Sequence, residues 1–378
     1  MLLWNTSLQL LKKHFHFRIW WLFVITIAIT GSGILIYNTY VKWVKAPVIV
    51  TFATTETPIW KIPFPAVTIC PEMKVQKSVF NYSQVFSRII HQDIITEEES
   101  KYFSFFQMVC EDWGIDWEEF VGFNVTEEWI NSTALDTYLD ALDTMITKDC
   151  KWMGKEQDCD NLLTTVYTAE GLCQTFNGLM FDEIYREPEE HLKKKEKQHE
   201  TKKWSLEDGY PSSSDLDTYP LRTILSGSKA GFQVDLYVTD EQIDYGCGEL
   251  QGYKVTLHHP GEEPDMDKHF RVPLDEAVFV AVKPRMITTA DEIGAYEPEK
   301  RQCYLPGEKT LQTFKSYTQQ NCMTECLTNY TNKICGCVGF YMAYYGESHF
   351  CNLKSKACME NARCKIFSNL NLFLIDTM

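Results

Sequence analysis

All fourteen cysteines lie between Cys70 and Cys364, and no other residue type in the sequence carries as much chemical information. The late set runs Cys322-x-x-x-Cys326, Cys335-x-Cys337, then Cys351, Cys358 and Cys364. Zinc is the first chemistry to test, because thiolates at knuckle spacing close a tetrahedral centre. Paired Cys-x-x-Cys knuckles are absent. Cysteines four apart project from one helix face, and a Cys-x-Cys strand sends its thiols to opposite faces, so the spacing favours a ladder of disulfides between such elements. Each bridge contributes roughly 2 to 4 kcal/mol by restricting the unfolded chain.

His258, His259 and His269 lie near Glu262, Glu263, Asp265 and Asp267, which are the residue types of a metal or acid–base site. Their spacing matches no zinc-protease helix, and with Pro260 and Pro264 the segment Leu257 to Phe270 reads as a strand followed by a polar loop. Elsewhere there is no Gly-x-Ser-x-Gly elbow, no phosphate-binding glycine loop and no His-Glu-x-x-His. The expectation is therefore a non-enzyme with no catalytic residue, metal site or cofactor. The formal charge of -16 excludes nucleic acid as a partner, because that contact leans on clustered Lys and Arg. Inorganic cations or basic partners suit such a surface.

The elements that must position these residues begin with a membrane helix. From Ile19 to Val41 there is no charged residue, and about 20 helical residues span a bilayer core. Trp20 and Trp21 at one end, and Tyr37, Tyr40 and Trp43 at the other, sit where interfacial aromatic belts form. Gly31-Ser32-Gly33 raises the alternative of a cleaved signal peptide, but the apolar run continues past it. Flanking charge is indecisive for orientation, with Lys12, Lys13 and Arg18 before the helix and Lys42 and Lys45 after it. The cysteines decide better: all follow the helix, which places the C-terminal side in an oxidising compartment. Sequons at Asn81, Asn124, Asn131 and Asn329 agree with that side being extracellular. The domain reading is a cytoplasmic N-terminus over residues 1–18, a transmembrane helix over 19–41, and an extracellular cysteine-rich domain over 42–378, in the plasma membrane.

Strand-like runs follow the helix at Val48 to Phe52 and Phe64 to Cys70, and recur at Phe232 to Val238, Lys254 to His258 and Val278 to Val282. These pieces can share a sheet only if the segments between them are excursions, which argues for an α+β body with insertions. Between Thr126 and Lys148, Leu135, Tyr138, Leu139, Leu142, Met145 and Ile146 recur at spacings of three and four and predict a helix packed on a core. Glu187 to Lys203, with Lys193-Lys194-Lys195 among acidic neighbours, reads as a solvated excursion.

Thr54-Thr55-Glu56-Thr57-Pro58-Ile59-Trp60-Lys61-Ile62-Pro63-Phe64-Pro65-Ala66-Val67-Thr68-Ile69-Cys70 resembles the first post-membrane segment of the degenerin and epithelial sodium channel (DEG/ENaC) superfamily, in wording closest to its insect pickpocket branch. Gly171-Leu172-Cys173-Gln174-Thr175-Phe176-Asn177 resembles the family's Gly-x-Cys-x-Thr-Phe-Asn segment. Cys303, Cys322, Cys326 and Cys335-Gly336-Cys337 resemble the cysteine ladder of its thumb. The three motifs stand in family order over roughly residues 18 to 360. The resemblance implies a subunit of a trimeric, amiloride-sensitive, ligand- or stimulus-gated sodium channel. Its fold would be α+β, with an N-terminal transmembrane helix and a hand-like ectodomain whose palm is a β-sheet and whose finger and thumb are helical. Its partners would be other DEG/ENaC subunits, sodium ions and the lipid bilayer. By family pattern Cys70 pairs with Cys173, Cys150 with Cys159, Cys337 with Cys351 and Cys335 with Cys358. The pattern assigns no partner to Cys110, Cys247 or Cys364.

Two departures shape the expectation. The family carries a His-Gly pair before the first helix, and residues 1–18 offer only His14-Phe15-His16. The family also carries a second helix with a Gly-x-Ser filter, and a downstream Cys-x-Cys-x-x-x-Cys set that pairs with the cysteines matching Cys303, Cys322 and Cys326. Before Met378 there is neither, since Asn369 to Ile375 is too short to span a bilayer. The expected protein is a channel subunit shortened before its pore-lining helix. The competing reading is a single-pass, cysteine-rich receptor, adhesion ectodomain or non-conducting regulatory subunit. The topology is checked by enzymatic deglycosylation of protein made in insect cells. Gel mobility should increase through sugars on Asn81, Asn124, Asn131 or Asn329, while Asn5, on the cytoplasmic side, stays unmodified.

Overall fold

The computed structural model describes residues 2–45, 51, 56–110, 130, 132–142, 146–187, 204–206, 208–215, 217–239, 243–301, 303–305 and 307–365. The chain divides into two compact units, one of Met1–Glu56 with Lys283–Glu308 and one of Thr57–Val282 with Lys309–Met378. The first unit is dominated by helix α1, Leu2–Lys45. The expected span Ile19 to Val41 lies inside it, and the stretch apolar enough to cross a membrane is Phe17–Lys45. Its large apolar side chains face outward, with Leu35 69% and Ile36 70% exposed, as a lipid-facing helix requires. Three threonine hydroxyls on this helix each turn back on its own backbone. Thr26, Thr30 and Thr39 donate to Leu22 O, Thr26 O and Leu35 O at 2.7, 2.8 and 2.8 Å.

The second unit is built on an antiparallel five-stranded sheet. In chain order the strands are β1 (Ala66–Pro71), β4 (Leu163–Thr168), β5 (Gly171–Phe176), β7 (Gly252–His258) and β8 (His269–Pro273). Their spatial order is β4-β5-β1-β7-β8, so segments nearly 200 residues apart lie side by side, and the chain between them forms excursions. A smaller sheet pairs β2 (Ile146–Trp152) with β3 (Lys155–Glu156) and β6 (Phe232–Tyr237). The two sheets meet through aromatic rings: Phe176 of β5 stacks on Phe232 of β6 with centroids 4.1 Å apart, and Trp152 and Phe64 close the cluster.

Helices α2 (Tyr82–Ile90), α3 (Glu97–Phe106) and α4 (Ser132–Ala141) bury Tyr82, Phe103, Phe105, Phe106, Leu135 and Leu139 in the largest core cluster. Their starts are written locally. The Asn81 side chain accepts from Gln84 N, and Thr96 with Glu99 forms a reciprocal capping box. Arg88 of α2 then pairs with Glu99 of α3. The long helix α5 (Gln319–Cys335) starts at Thr318, whose hydroxyl accepts from Asn321 N, and stops at Gly336, which takes the left-handed conformation at φ 70°. A further helix, α6, covers 356–365.

Three expectations are corrected. The helix expected up to Ile146 ends at Ala141, and Ile146 opens β2, because its ladder with β6 outweighs a run of helical spacing. Val278 to Val282 forms no strand and is exposed: β-branched composition without a partner edge builds no ladder. Cys335-x-Cys337 is not a strand but the end of α5 and its Gly336 cap. Val48 to Phe52 and Glu187 to Lys203 fall almost wholly outside the described residues.

Asn177 closes the Gly171 to Asn177 motif. It is buried at φ 59°, a conformation Asn tolerates better than most residues, and ties two loops together. Its Nδ2 donates to Phe64 O at 2.6 Å and Leu221 O at 3.1 Å, while its Oδ1 accepts from Leu221 N at 2.5 Å. Asn177→Ala leaves Phe64 O and Leu221 N unpaired, while Leu221 O keeps Phe64 N at 2.9 Å, and should cost about 1 to 3 kcal/mol, read as a lowered melting temperature of the full chain in detergent. An unchanged melting temperature would show that the loops need no pin.

Candidate functional site

The disulfides are the framework that holds the candidate site. Cys70 at the end of β1 bonds Cys173 of β5, with Cα atoms 4.4 Å apart. Cys150 bonds Cys159, Cys335 bonds Cys358 and Cys337 bonds Cys351. Cys110 and Cys247, to which the family pattern assigns nothing, bond each other across 137 residues of sequence. Cys303, Cys322, Cys326 and Cys364 carry free thiols, and burial raises the Cys326 thiol, with the Cys322 thiol adding to the shift. Of the sequon asparagines, Asn81 is half-buried at its helix cap and Asn329 is exposed on α5, whereas Asn124 and Asn131 lie outside the described residues.

The histidines and carboxylates between β7 and β8 are separated by the fold. His258, at the end of β7, lies 2.8 Å through Nε2 from the Thr68 hydroxyl, which lies 2.7 Å from the Thr175 hydroxyl. His258 Nδ1 lies 3.0 Å from His259 O, which places its proton on Nδ1 and makes Nε2 the acceptor. Burial pushes both His258 and His259 down to about 4, so neither is charged near neutral pH. His269 Nδ1 turns to Met266 O at 2.7 Å, Asp265 pairs with Lys268 and Asp267 with Arg363. Among the described residues no three His, Cys, Asp or Glu side chains stand close enough to share a metal.

Two acids of this loop reach helix α5 instead. Asn321, fully buried one turn into α5, donates through Nδ2 to Gly261 O at 3.1 Å and accepts from Glu263 N at 3.4 Å. Glu262 bonds the Thr318 hydroxyl at the helix cap; burial raises its pKa, and that hydroxyl opposes the shift. Glu263 is buried against Tyr185, whose hydroxyl it engages, while its Oε2 has no hydrogen-bond partner. Tyr185 itself bridges Phe314, a few residues before α5. The joint between the sheet and α5 therefore closes over a carboxyl that burial pushes up to about 8. Burial in this dry site favours the protonated form of that group over the charged one. Nothing in the sequence distinguishes Glu263 from exposed Glu residues nearby, because its burial depends on Tyr185 and Asn321, which lie 78 and 58 residues away.

The profile of the amiloride-sensitive sodium channel family matches residues 6–373. The chain is similar to Pickpocket protein 28 of Drosophila melanogaster, at 23% identity over 361 residues, covering 93% of this chain and 56% of that relative. It is also similar to the sodium channel protein Nach of Drosophila ananassae, at 20% identity with 92% and 62% covered. Pickpocket protein 19 of Drosophila melanogaster is 24% identical, with 86% and 60% covered. The chain thus spans about three-fifths of the length of the curated relatives it matches.

The buried carboxyl makes stability depend on pH with a definite sign. The folded value near 8 stands above an ordinary 4.5, so the protonated form is favoured by folding. Stability is full below the unfolded value and is lost as pH rises through the folded one. Glu263→Gln removes this titration. Its stability relative to the parent chain should climb between about pH 4.5 and 8 and then level off, reaching a few kcal/mol. Urea unfolding of both proteins across that range measures it, and a pH-independent difference would show that Glu263 is ionised in the fold.

Proposed function

The chain belongs to the amiloride-sensitive sodium channel family, as a pickpocket-like insect DEG/ENaC subunit, and on that premise we propose that it serves in a stimulus-gated channel carrying sodium across the plasma membrane. The observation that carries this reading is the extent of the match. Residues 6–373 embrace both the apolar helix Phe17–Lys45 and the disulfide-bonded ectodomain, so the likeness covers a membrane element and a folded domain in one order. A helix with lipid-facing side chains and hydroxyls folded back on their own carbonyls is built for hydrocarbon. Five disulfides among the residues that follow it in the chain suit an extracellular domain.

In this reading residues 1–18 are cytoplasmic, 19–41 cross the membrane and 42–378 face the outside. The subunit assembles with like subunits as a homo- or heterotrimer, and the current is blocked by amiloride. Support for these finer points comes from the family likeness alone. The test is co-expression in oocytes with a full-length relative of the pickpocket branch. The expected result is a changed amiloride-sensitive sodium current, with crosslinking that traps the chain in trimers. Normal surface delivery with no effect on current and only monomeric crosslinks would overturn the proposal in favour of a single-pass receptor.

A further inference from the structure

A cavity of about 260 Å³ opens in the second unit between the end of β1, the β4–β5 turn, the start of β7 and helix α6. Four cations line it, Lys74, Lys254, Lys356 and Arg363, against three carboxylates, Glu72, Glu170 and Glu360. What each group already holds decides what the cavity can take. Lys74 is spent: its Nζ donates to Pro71 O, Glu170 O and Glu170 Oε2 at 3.1, 2.9 and 2.6 Å. Glu170 is spent as well, because its Oε1 accepts from Lys254 at 2.7 Å. Burial pushes Glu170 up, but Lys74 and Lys254 outweigh it and hold the carboxyl down at about 2, so it stays ionised. Glu72 is occupied by both arms of Arg271, at 2.7 and 2.6 Å.

The remaining cations are less engaged. Lys254 gives one of its three donors to Glu170, and Lys356 gives one to the neutral carbonyl of Gln107 at 2.8 Å. Arg363 engages Asp267 through Nη2. Glu360 is exposed and forms no ion pair among the described residues. The inner carboxylates are therefore saturated, while cation donors from β7 and α6 converge on one space. The rest of the wall is apolar, from Met108, Val109 and Leu250. A lone inorganic anion would leave that wall facing water, and the volume falls just below the range of about 300 to 1,000 Å³ usual for drug-sized ligands.

We propose that this cavity binds a small organic carboxylate, its head held by Lys254, Lys356 and Arg363 and its short hydrocarbon body against Met108, Val109 and Leu250. Such a ligand bridges β7 to α6, the helix anchored to the end of α5 by Cys335–Cys358. Its recognition follows from charge-assisted donors converging beside an apolar wall, the arrangement that fixes orientation in small-molecule pockets.

The test is thermal stabilisation and titration calorimetry on the full chain in detergent, and it needs no channel current. Sodium acetate, butyrate, succinate and citrate are compared with chloride and inorganic phosphate at equal ionic strength. The expected result is saturable binding of at least one organic carboxylate. That binding should weaken about tenfold or more in Lys356→Gln with Arg363→Gln, the size of a lost charge-assisted hydrogen bond. The control variant Lys333→Gln, on the exposed side of α5, should bind as the parent chain does. Peptide mapping of Cys335–Cys358 in the double variant confirms that α6 remains in place. Absence of saturable binding overturns the proposal. So does equal binding of chloride or phosphate, or carboxylate affinity unchanged in a double variant whose bridge is intact.

Discussion

The second unit depends on the register of one strand. β1 is hydrogen-bonded on both edges, with Val67 to Ile69 opposite Phe176 to Gln174 of β5 and Ala66 to Pro71 opposite His258 to Tyr253 of β7. Side chains alternate along a strand, so a slip of one residue would turn every one of them to the wrong face. Thr68 and Cys70 lie on the same face, and both are committed. The Thr68 hydroxyl joins Thr175 and His258 across the sheet, and Cys70 bonds Cys173. A polar chain and a covalent bond thus fix the same register from neighbouring rungs.

Charge pairs extend this lock beyond the end of the strand. Glu72 accepts both arms of Arg271 from β8, and Lys74 reaches the β4–β5 turn through Glu170. These groups are largely removed from water. Removing one partner would strand a buried charge, at roughly 3 to 5 kcal/mol, which is why their value lies more in position than in net stability. Gly252, at φ 135° where β7 begins, serves the same junction: a Cβ there would come within 2.5 Å of Val272 O. Close approach of β7 and β8 at this point requires the absence of a side chain.

The opposite end of the sheet is joined to α5 by polar atoms and no disulfide. Asn321, Thr318, Glu262 and Glu263 form that joint, and burial raises the pKa of both carboxyls. Its attachment here through titratable contacts contrasts with the covalent bond from Cys335 to Cys358 at its far end. The unit thus combines covalent rigidity with a joint whose energy responds to protonation.

Much of this was legible in the residues. The apolar helix is written in an uncharged run, since spanning hydrocarbon demands nothing but length and composition. The strands around Cys70, Phe232 and Lys254 are written in β-branched alternation, and their distance in sequence already required an α+β body with excursions. The family motifs marked Asn177 and the cysteines, though not what Asn177 grips. Other features were decided only by the tertiary structure. Ile146 continued a helical spacing and became a strand because β6 was there to pair with it. The Cys110–Cys247 bridge, the buried Glu263 and the convergence of Lys254 with Lys356 each depend on segments separated by 58 to 137 residues. Periodicity and composition are local properties, whereas bond partners and desolvation are set by which distant segments the fold brings together.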